Sequence, residues 1–252
     1  MQIDLTGKVA IVTGGGRDIG RAICEHLAHC GAAVAINYNS SKGEAEDVAN
    51  SIKAKGGKAI AVQADVTKQA DIDRLVQETR DQFGGEIHVL VNNAGGLVAR
   101  KKMDEMDEDF WDHVMGLNLK SVFLVTKAVL PHMPEGGSIV NLSSLAARDG
   151  GGGGAIAYST SKGGVLTMTR GLAKELSAQN IRCNCVSPGL INTTFHDTFT
   201  PDEARKNVAA KTARKREGQS DDVAKAVVFL ASDAADYITG ESLEINGGLY
   251  FI

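Results

Sequence analysis

Short runs of consecutive apolar residues alternate along the chain with longer stretches whose apolar positions recur every three or four residues. The short runs predict strands at 8–13, 33–36, 59–63, 87–91, 138–142, 181–186 and 242–245. The longer periodicity predicts helices at 19–30, about 42–55, about 69–83, about 108–133, 157–179 and 221–231. A strand that is apolar throughout, rather than at alternate positions, is buried on both faces, as in a parallel sheet covered by helices. Repeated strand–helix units joined by right-handed crossovers predict an α/β, doubly wound fold: a parallel seven-stranded sheet with helices on both faces. No linker-like composition and no fixed-period repeat interrupts this pattern, so residues 1–252 are expected to form a single domain.

Composition narrows the function classes. Lys and Arg number 27 against 31 Asp and Glu, a net charge of −4, which disfavours a nucleic-acid partner. With 43% hydrophobic and 23% charged residues, the chain falls outside disordered classes. Its 29 glycines are about twice what a typical frequency of roughly 7% gives. Only 4 prolines accompany them and no G-X-Y period appears, which leaves turns and close backbone approaches as the use for glycine. No apolar run approaches the roughly 18 residues that span a bilayer. The segment Met1 to Lys8 has no apolar core of signal-peptide kind. No membrane partner and a cytoplasmic location are therefore expected.

The cysteines Cys24, Cys30, Cys183 and Cys185 form no CxxC pair and no secreted disulfide framework. With His26 and His29 between them, Cys24 and Cys30 look superficially like metal ligands. In a helix, however, residues 23, 27 and 30 share an apolar stripe, so packing is expected there and no metal.

Between the first strand and first helix lies Thr13-Gly14-Gly15-Gly16-Arg17-Asp18-Ile19-Gly20. Glycines let a backbone turn tightly there and let a pyrophosphate approach helix N-terminal N–H groups. A glycine-rich turn with no ligand would read the same taken alone; its place after a strand and before a helix argues for a dinucleotide. After the second strand, Asn37-Tyr38-Asn39-Ser40-Ser41-Lys42 carries no carboxylate before Glu44. That removes repulsion against a 2′-phosphate, and Arg17 with Lys42 supplies positive charge. NADP(H) is favoured, with NAD(H) the alternative because Asn and Ser also hold a plain ribose. Asp65-Val66 follows the third strand and is assigned to the adenine edge. Asn92, Ala94 and Gly95 follow the fourth, where a dinucleotide must cross the sheet.

Tyr158 and Lys162 stand four apart, on one face of a helix, and Ser143-Ser144 ends the preceding strand. An ammonium beside a phenol, together with an oxidised nicotinamide, favours phenolate and lowers the tyrosine's pKa. Such a tyrosine exchanges a proton with a substrate oxygen near neutral pH. Taken in order after the glycine loop, these residues resemble the short-chain dehydrogenase/reductase family, from about Gly7 to Gly248. Thr13-Gly14 through Gly20 looks like its cofactor loop and Asn92-Asn93-Ala94-Gly95 like its sheet-stabilising motif.

The resemblance implies a Rossmann-type fold and an NAD(P)-dependent oxidoreductase. It also implies that Asn118 joins a proton relay through water and that Ser144, Tyr158 and Lys162 are catalytic. Ser144 matches better than Ser143 because its spacing to Tyr158 is the family's. Pro188, Gly189, Ile191 and Thr193 resemble the segment beside the nicotinamide carboxamide, and Ile245-Asn246-Gly247-Gly248 the end of the last strand. The chain departs from the family at Asp18, where a glycine is usual, at Asn246, where Asp is usual, and at Ser220, where proline is common. A homotetramer through the helices on either side of the fifth strand is expected on the same ground.

The substrate is less legible. Arg100, Lys101 and Lys102 follow the fourth strand, and Arg205, Lys206, Lys211, Arg214, Lys215 and Arg216 fall in a stretch at about 194–219 that resembles the family's substrate lid. Basic residues in two facing loops suggest an anionic carbonyl compound; a solvated helix face explains them equally. Asp149 followed by Gly150 to Gly154 reads as a flexible insertion. The favoured substrate is a small polar or anionic ketone or aldehyde, such as a sugar acid or deoxy-keto-uronate. A 3-oxoacyl-thioester (acyl-carrier-protein) reductase is the alternative. A dinucleotide-binding regulatory or scaffold protein that has lost activity is the reading from a different class.

Overall fold

Each unbroken apolar run forms a strand, and all of them join one sheet. In the computed structural model, which describes residues 3–252, the strands are β1 (Val9–Val12), β2 (Ala33–Tyr38), β3 (Lys58–Gln63), β4 (Val89–Asn92), β5 (Ser138–Leu142), β6 (Arg182–Pro188) and β7 (Ser242–Ile245). Met1 and Gln2, which begin the segment read for a signal peptide, lie outside the described residues. The strands are all parallel and run in the order β3-β2-β1-β4-β5-β6-β7. The five central strands are buried along their whole length, whereas the edge strands β3 and β7 are buried only at some positions. That gradient is the physical reason for the unbroken apolar runs: only strands covered on both faces need them.

Helices α1 (Asp18–His29), α2 (Lys42–Ala54) and α10 (Ser220–Ala231) cover one face, where Ile23, Leu27, Val48 and Val227 meet Ala10, Val12, Val34 and Ile36. On the other face, Ile72 and Leu75 of α3 (Gln69–Phe83) and Val125 and Val129 of α5 (Ser121–Val129) meet Ile11, Ala35 and Leu90. Helix α7 (Ile156–Glu175) packs on that same face. Neighbouring residues of one strand thus serve opposite layers. Cys24 belongs to the first core, pressed against Gly15, where a Cβ would sit 2.8 Å from its sulfur. Burial pushes its thiol pKa up, as befits a packed side chain.

The helices differ from the sequence reading in three places. The predicted helix at about 108–133 is not uniform. It is α4 (Glu108–Met115), a π-helical turn at Gly116–Lys120, α5, and a final tight turn at Leu130–His132. As one rod, Glu108–His132 is long and apolar enough to cross a membrane by length and composition, yet Val125 and Val129 are buried on the sheet. A four-residue helix, α6 (Ala146–Asp149), follows Ser144. The stretch read as a loop after Thr193 holds α8 (Thr194–Phe199) and α9 (Asp202–Lys211).

Candidate active site

The chain leaves β1 and turns toward β2, while β4 lies on β1's other side, so the strand order reverses between β1 and β4. Open α/β sheets bind ligands beyond the carboxyl ends of the strands at such a point. A cleft of about 1150 Å³ lies there. It runs from Gly14–Gly20 past Ala94–Gly96 to Ser144, Tyr158 and Lys162, and is roofed by residues from Pro188 to Thr200.

The loop after β1 is wired by amides. Asn93 Nδ2 donates to the carbonyls of Thr13 and Gly14, both at 2.9 Å. Thr13 Oγ1 accepts from the backbone N–H groups of Asn93 and Ala94, both at 3.0 Å. Asn37 Oδ1 accepts from Gly14 N at 3.2 Å, and its Nδ2 donates to the Ala64 carbonyl at 2.9 Å. Two glycines are compulsory here. Gly14 has φ +62°, and a Cβ on Gly20 would lie 2.1 Å from the Gly14 carbonyl oxygen. The loop and the first turn of α1 therefore pass each other at backbone distance, leaving a cradle lined by main-chain groups.

That cradle is the test of the dinucleotide reading, and the residues fit. The glycine loop and the first turn of α1 border the cleft, and Arg17, Tyr38, Asn39, Ser40 and Ser41 line its far end. Beyond Ala94 the same economy recurs: a Cβ on Gly95 would stand 2.6 Å from Asn118 Oδ1 and 3.2 Å from Lys162 Nζ. Lys42, read with Arg17 as a phosphate ligand, instead leans toward Glu46 at 3.7 Å and does not line the cleft.

At the cleft floor, Ser144 follows β5, and Tyr158 and Lys162 share one face near the start of α7. The two serines divide their work. Ser143 is buried and its hydroxyl donates to the Lys162 carbonyl at 2.9 Å, whereas the Ser144 hydroxyl accepts from Ala146 N at 3.1 Å and lines the cleft. Lys162 is 4% exposed; its Nζ donates to the Leu142 carbonyl at 2.7 Å and lies 5.8 Å from the centre of the Tyr158 ring. One such bond leaves an ammonium two further donors. Burial pushes the Lys162 pKa down to about 8. Burial also raises the Tyr158 phenol above its ordinary value, with the Ser144 hydroxyl opposing it. The expected lowering of the tyrosine is thus not intrinsic to the folded chain, because desolvation outweighs its neighbours. In the chain itself, Tyr158 is held as a proton donor.

Besides Lys42, six residues assigned from the sequence to the cofactor or to catalysis do not line the cleft: Gly16, Asn37, Asp65, Val66, Asn92 and Asn118. Gly16 meets the second strand–helix unit instead, where a Cβ would stand 3.2 Å from Ser41 Oγ. Asn37 is 2% exposed and spent on the backbone, so it shapes the loop rather than holding a ribose. Asp65 accepts from Thr67 N at 3.0 Å and Thr67 Oγ1 at 2.7 Å, bonds that keep its carboxyl below the usual range. Asn92 Nδ2 donates to Asn141 Oδ1 at 2.9 Å and Thr126 Oγ1 at 3.1 Å, a buried amide network that joins β4, β5 and α5. Asn118 sits in the π-helical turn. Its amide closes on Gly96 in both directions at 2.9 Å and on the Val114 carbonyl at 3.0 Å, so its side chain holds the Gly95–Gly96 turn. Asn93, expected only as part of a sheet-stabilising motif, fixes the glycine loop; its place just after a strand that ends in Asn92 is the signal for a loop-fixing amide.

The substrate end is more apolar and better braced than the sequence suggests. Phe195 packs 5.9 Å from Tyr158 and 5.3 Å from Phe199, ring centre to ring centre, and Leu97, Val98, Leu145 and Val208 complete the wall. Burial, reinforced by Arg205, pushes the adjacent His196 imidazole down to about 4, so it is neutral there. The basic residues are largely committed to the protein. Arg205 grips Glu217 at 2.7 Å, Asn192 Oδ1 at 2.7 Å, and Asp197. Arg216 pairs with Asp222, and Lys215 donates to the Ala210 carbonyl at 2.8 Å. Arg100 donates to the carbonyls of Phe199 at 3.1 Å and Gly153 at 2.9 Å. That last contact also corrects the flexible reading of 150–154, since Asp149 Oδ1 holds Gly151 N at 2.8 Å and Lys101 N donates to the Gly154 carbonyl at 3.1 Å.

A glycine-cradled dinucleotide cleft with a serine, a tyrosine and a lysine on its floor defines a nicotinamide-dependent oxidoreductase. Comparison with known proteins narrows the class: a family model described as enoyl-(acyl carrier protein) reductase matches residues 14–250. A 3-oxoacyl-(acyl-carrier-protein) reductase of Staphylococcus epidermidis is 40% identical over 96% of this chain and 99% of its own length. A dehydrogenase/reductase structure from Sinorhizobium meliloti superposes with a TM-score of 0.93 at 34% identity, covering 99% of this chain and 98% of that one. A blue fluorescent protein from a metagenomic library, solved in complex with NADPH, gives 0.92 at 38% identity, covering 98% of this chain and 100% of that one. The chain belongs to the short-chain dehydrogenase/reductase family and is an NAD(P)-dependent oxidoreductase. The reading as an inactive scaffold protein is set aside with that result.

Proposed function

We propose that this protein reduces a ketone to an alcohol with NADPH, with Tyr158 as the proton donor. The carrying observation is the half-buried Tyr158, its phenol pKa raised, on one cleft floor with Ser144 and Lys162. When bound, the nicotinamide supplies the hydride. The residues supply the rest. Tyr158 gives its proton to the oxygen that becomes negative, and Ser144 holds that oxygen by a hydrogen bond. Lys162, protonated, favours the resulting phenolate and presents its remaining donors to the nicotinamide ribose. Oxidation in reverse uses the same groups, with phenolate as base. Preference for NADPH is supported by the exposed Arg17 with Ser40 and Ser41 at the adenosine end, and by the NADPH complex of a 38%-identical protein.

Within this reading the substrate carries an apolar group beside its carbonyl, as in a 3-oxoacyl thioester. Phe195, Phe199, Leu97 and Leu145 support it, as does the 40%-identical 3-oxoacyl reductase. The anionic sugar-derivative reading keeps only lid cations such as Lys206 and Lys211, because Arg205 and Arg216 are paired. The reading also carries forward a one-domain chain with a lid at 194–219, a cytoplasmic location and a homotetramer.

The test follows NADPH and NADH consumption, at the nicotinamide absorbance, against acetoacetyl thioester, an aryl ketone, a keto-uronate and crotonyl thioester. Turnover of the first two with NADPH supports the proposal. Turnover of the keto-uronate alone moves it to anionic substrates, and turnover of the crotonyl thioester alone moves it to reduction of a C=C bond.

A further inference from the structure

Asp18 is a residue whose backbone and side chain both need explaining. It opens α1 with φ +50°, a conformation that favours glycine and that an L side chain adopts at a cost. Its carboxylate reaches across to the lid, where Oδ1 accepts from Thr194 N at 3.2 Å and Oδ2 accepts from the Thr194 hydroxyl. Helix α8 begins at Thr194 and has no cap of its own, because its N-cap residue Thr193 donates its hydroxyl backward to the Ile191 carbonyl at 3.1 Å. A helix of six residues cannot hold itself together in water. The cap that α8 lacks is supplied from 176 residues away. The carboxylate of a residue in the first turn of α1 thereby satisfies the first N–H of α8.

We propose that Asp18 is a positioning residue that latches the lid to the phosphate-binding loop, coupling lid closure over the carbonyl site to the folded form of the cofactor cradle. The latch sets where α8 starts, and through it where Phe195 and Phe199 stand over Tyr158. Opening the lid requires breaking both bonds to Thr194. The inference rests on the reductase reading for its effect on turnover but not for its effect on the lid.

Two variants break the latch to different extents, Asp18→Gly both bonds and Thr194→Val the hydroxyl bond. Asp18→Gly relieves the left-handed strain, so folding is preserved, and it deletes the acceptor; Thr194→Val deletes the hydroxyl and keeps the carboxylate. The first readout is limited trypsin cleavage within 206–216, which needs no substrate. The second is the split of KM from kcat for the ketone under saturating NADPH. Each variant is expected to speed cleavage and to raise the ketone KM by about tenfold, with kcat changed by no more than about twofold. Asp18→Asn keeps an acceptor for Thr194 N and a tolerance for positive φ, and is expected to recover most of the loss. The double variant should be no worse than Asp18→Gly, which already breaks the bond that Thr194→Val removes. If Asp18→Gly leaves cleavage and KM within about twofold of the parent, or if the two effects multiply, the latch assignment is wrong. Faster cleavage in both variants, with no carbonyl turned over by the parent protein, upholds the latch and defeats the reductase reading.

Discussion

The cradle and the lid face each other across one cleft but are held by different means. The cradle is built on buried strands and tied by neutral amides: Asn93 to two carbonyls, Asn37 to Gly14, and Asn92 to Asn141. The lid stands at the surface on two helices, neither of which buries a residue, and it is tied by charged groups: Arg205, Arg216, Arg100 and Asp18. Buried neutral networks are lost only with the fold, because each orphaned group costs its full desolvation. Ion pairs that water still reaches cost less to break and re-form than a buried network, so they suit a part that must move. The difference teaches where rigidity is needed: in the cradle, where a cofactor must meet backbone, and not in the roof, through which substrates pass.

The largest effect that sharpens this contrast lies on the floor between them. Tyr158→Phe should lower turnover by about a thousandfold and leave NADPH binding, read by fluorescence titration, nearly intact. Activity equal to the parent would remove the tyrosine from its role. Next, Asn93→Ala leaves the carbonyls of Thr13 and Gly14 without their partner and should destabilise the fold by about 2–4 kcal/mol in urea unfolding. A loss near zero would mean that the cradle is not held by its amides.

The third effect is in pH. Lys162 has a folded pKa of about 8, below its ordinary 10.5, so it is charged in the free protein only below about 8. The reductive kcat/KM should fall as pH rises through that value, approaching tenfold per pH unit. For stability the sign is opposite: between about 8 and 10.5 the unfolded chain binds the extra proton, so stability rises with pH across that window. Lys162→Met should accordingly raise the melting temperature at pH 7 while abolishing activity. A lower melting temperature would show that the bond to the Leu142 carbonyl outweighs the burial of the charge.

The smallest effect belongs to the lid. Arg205→Ala frees Asp197 and Glu217 and should raise the ketone KM about fivefold with a stability change near 1 kcal/mol or less. A stability loss like that of Asn93→Ala would erase the contrast between the two regions.

Most of the cradle was legible because its signals are local. A glycine loop between an apolar strand and a helix, and amides at strand ends, carry their meaning within a few residues. The lid was not. Asp202–Lys211 is polar nearly all round, so no apolar stripe marks α9; Pro201 followed by Asp202 and Glu203 was the only helix-start signal. The π-helical turn at Gly116–Lys120 was hidden inside a pattern that reads as one helix, because a single inserted residue barely disturbs a period of 3.6. Arg205 and Arg216 read as substrate ligands because sequence shows a charge but not what sits opposite it.

By itself, the sequence determined the parallel doubly wound sheet, the identity of the face that carries the cleft, and the trio of Ser144, Tyr158 and Lys162. The first two follow from unbroken apolar runs and the position of the glycine loop, the trio from its resemblance to the family's motifs. Tertiary structure alone decided that Asn37 and Asn118 hold backbone, that the lid's arginines are paired, and that Asp18 caps a helix 176 residues away. Hydrogen bonds and charge pairs act over about 3 Å, and only folding brings residues so distant in the chain within that reach.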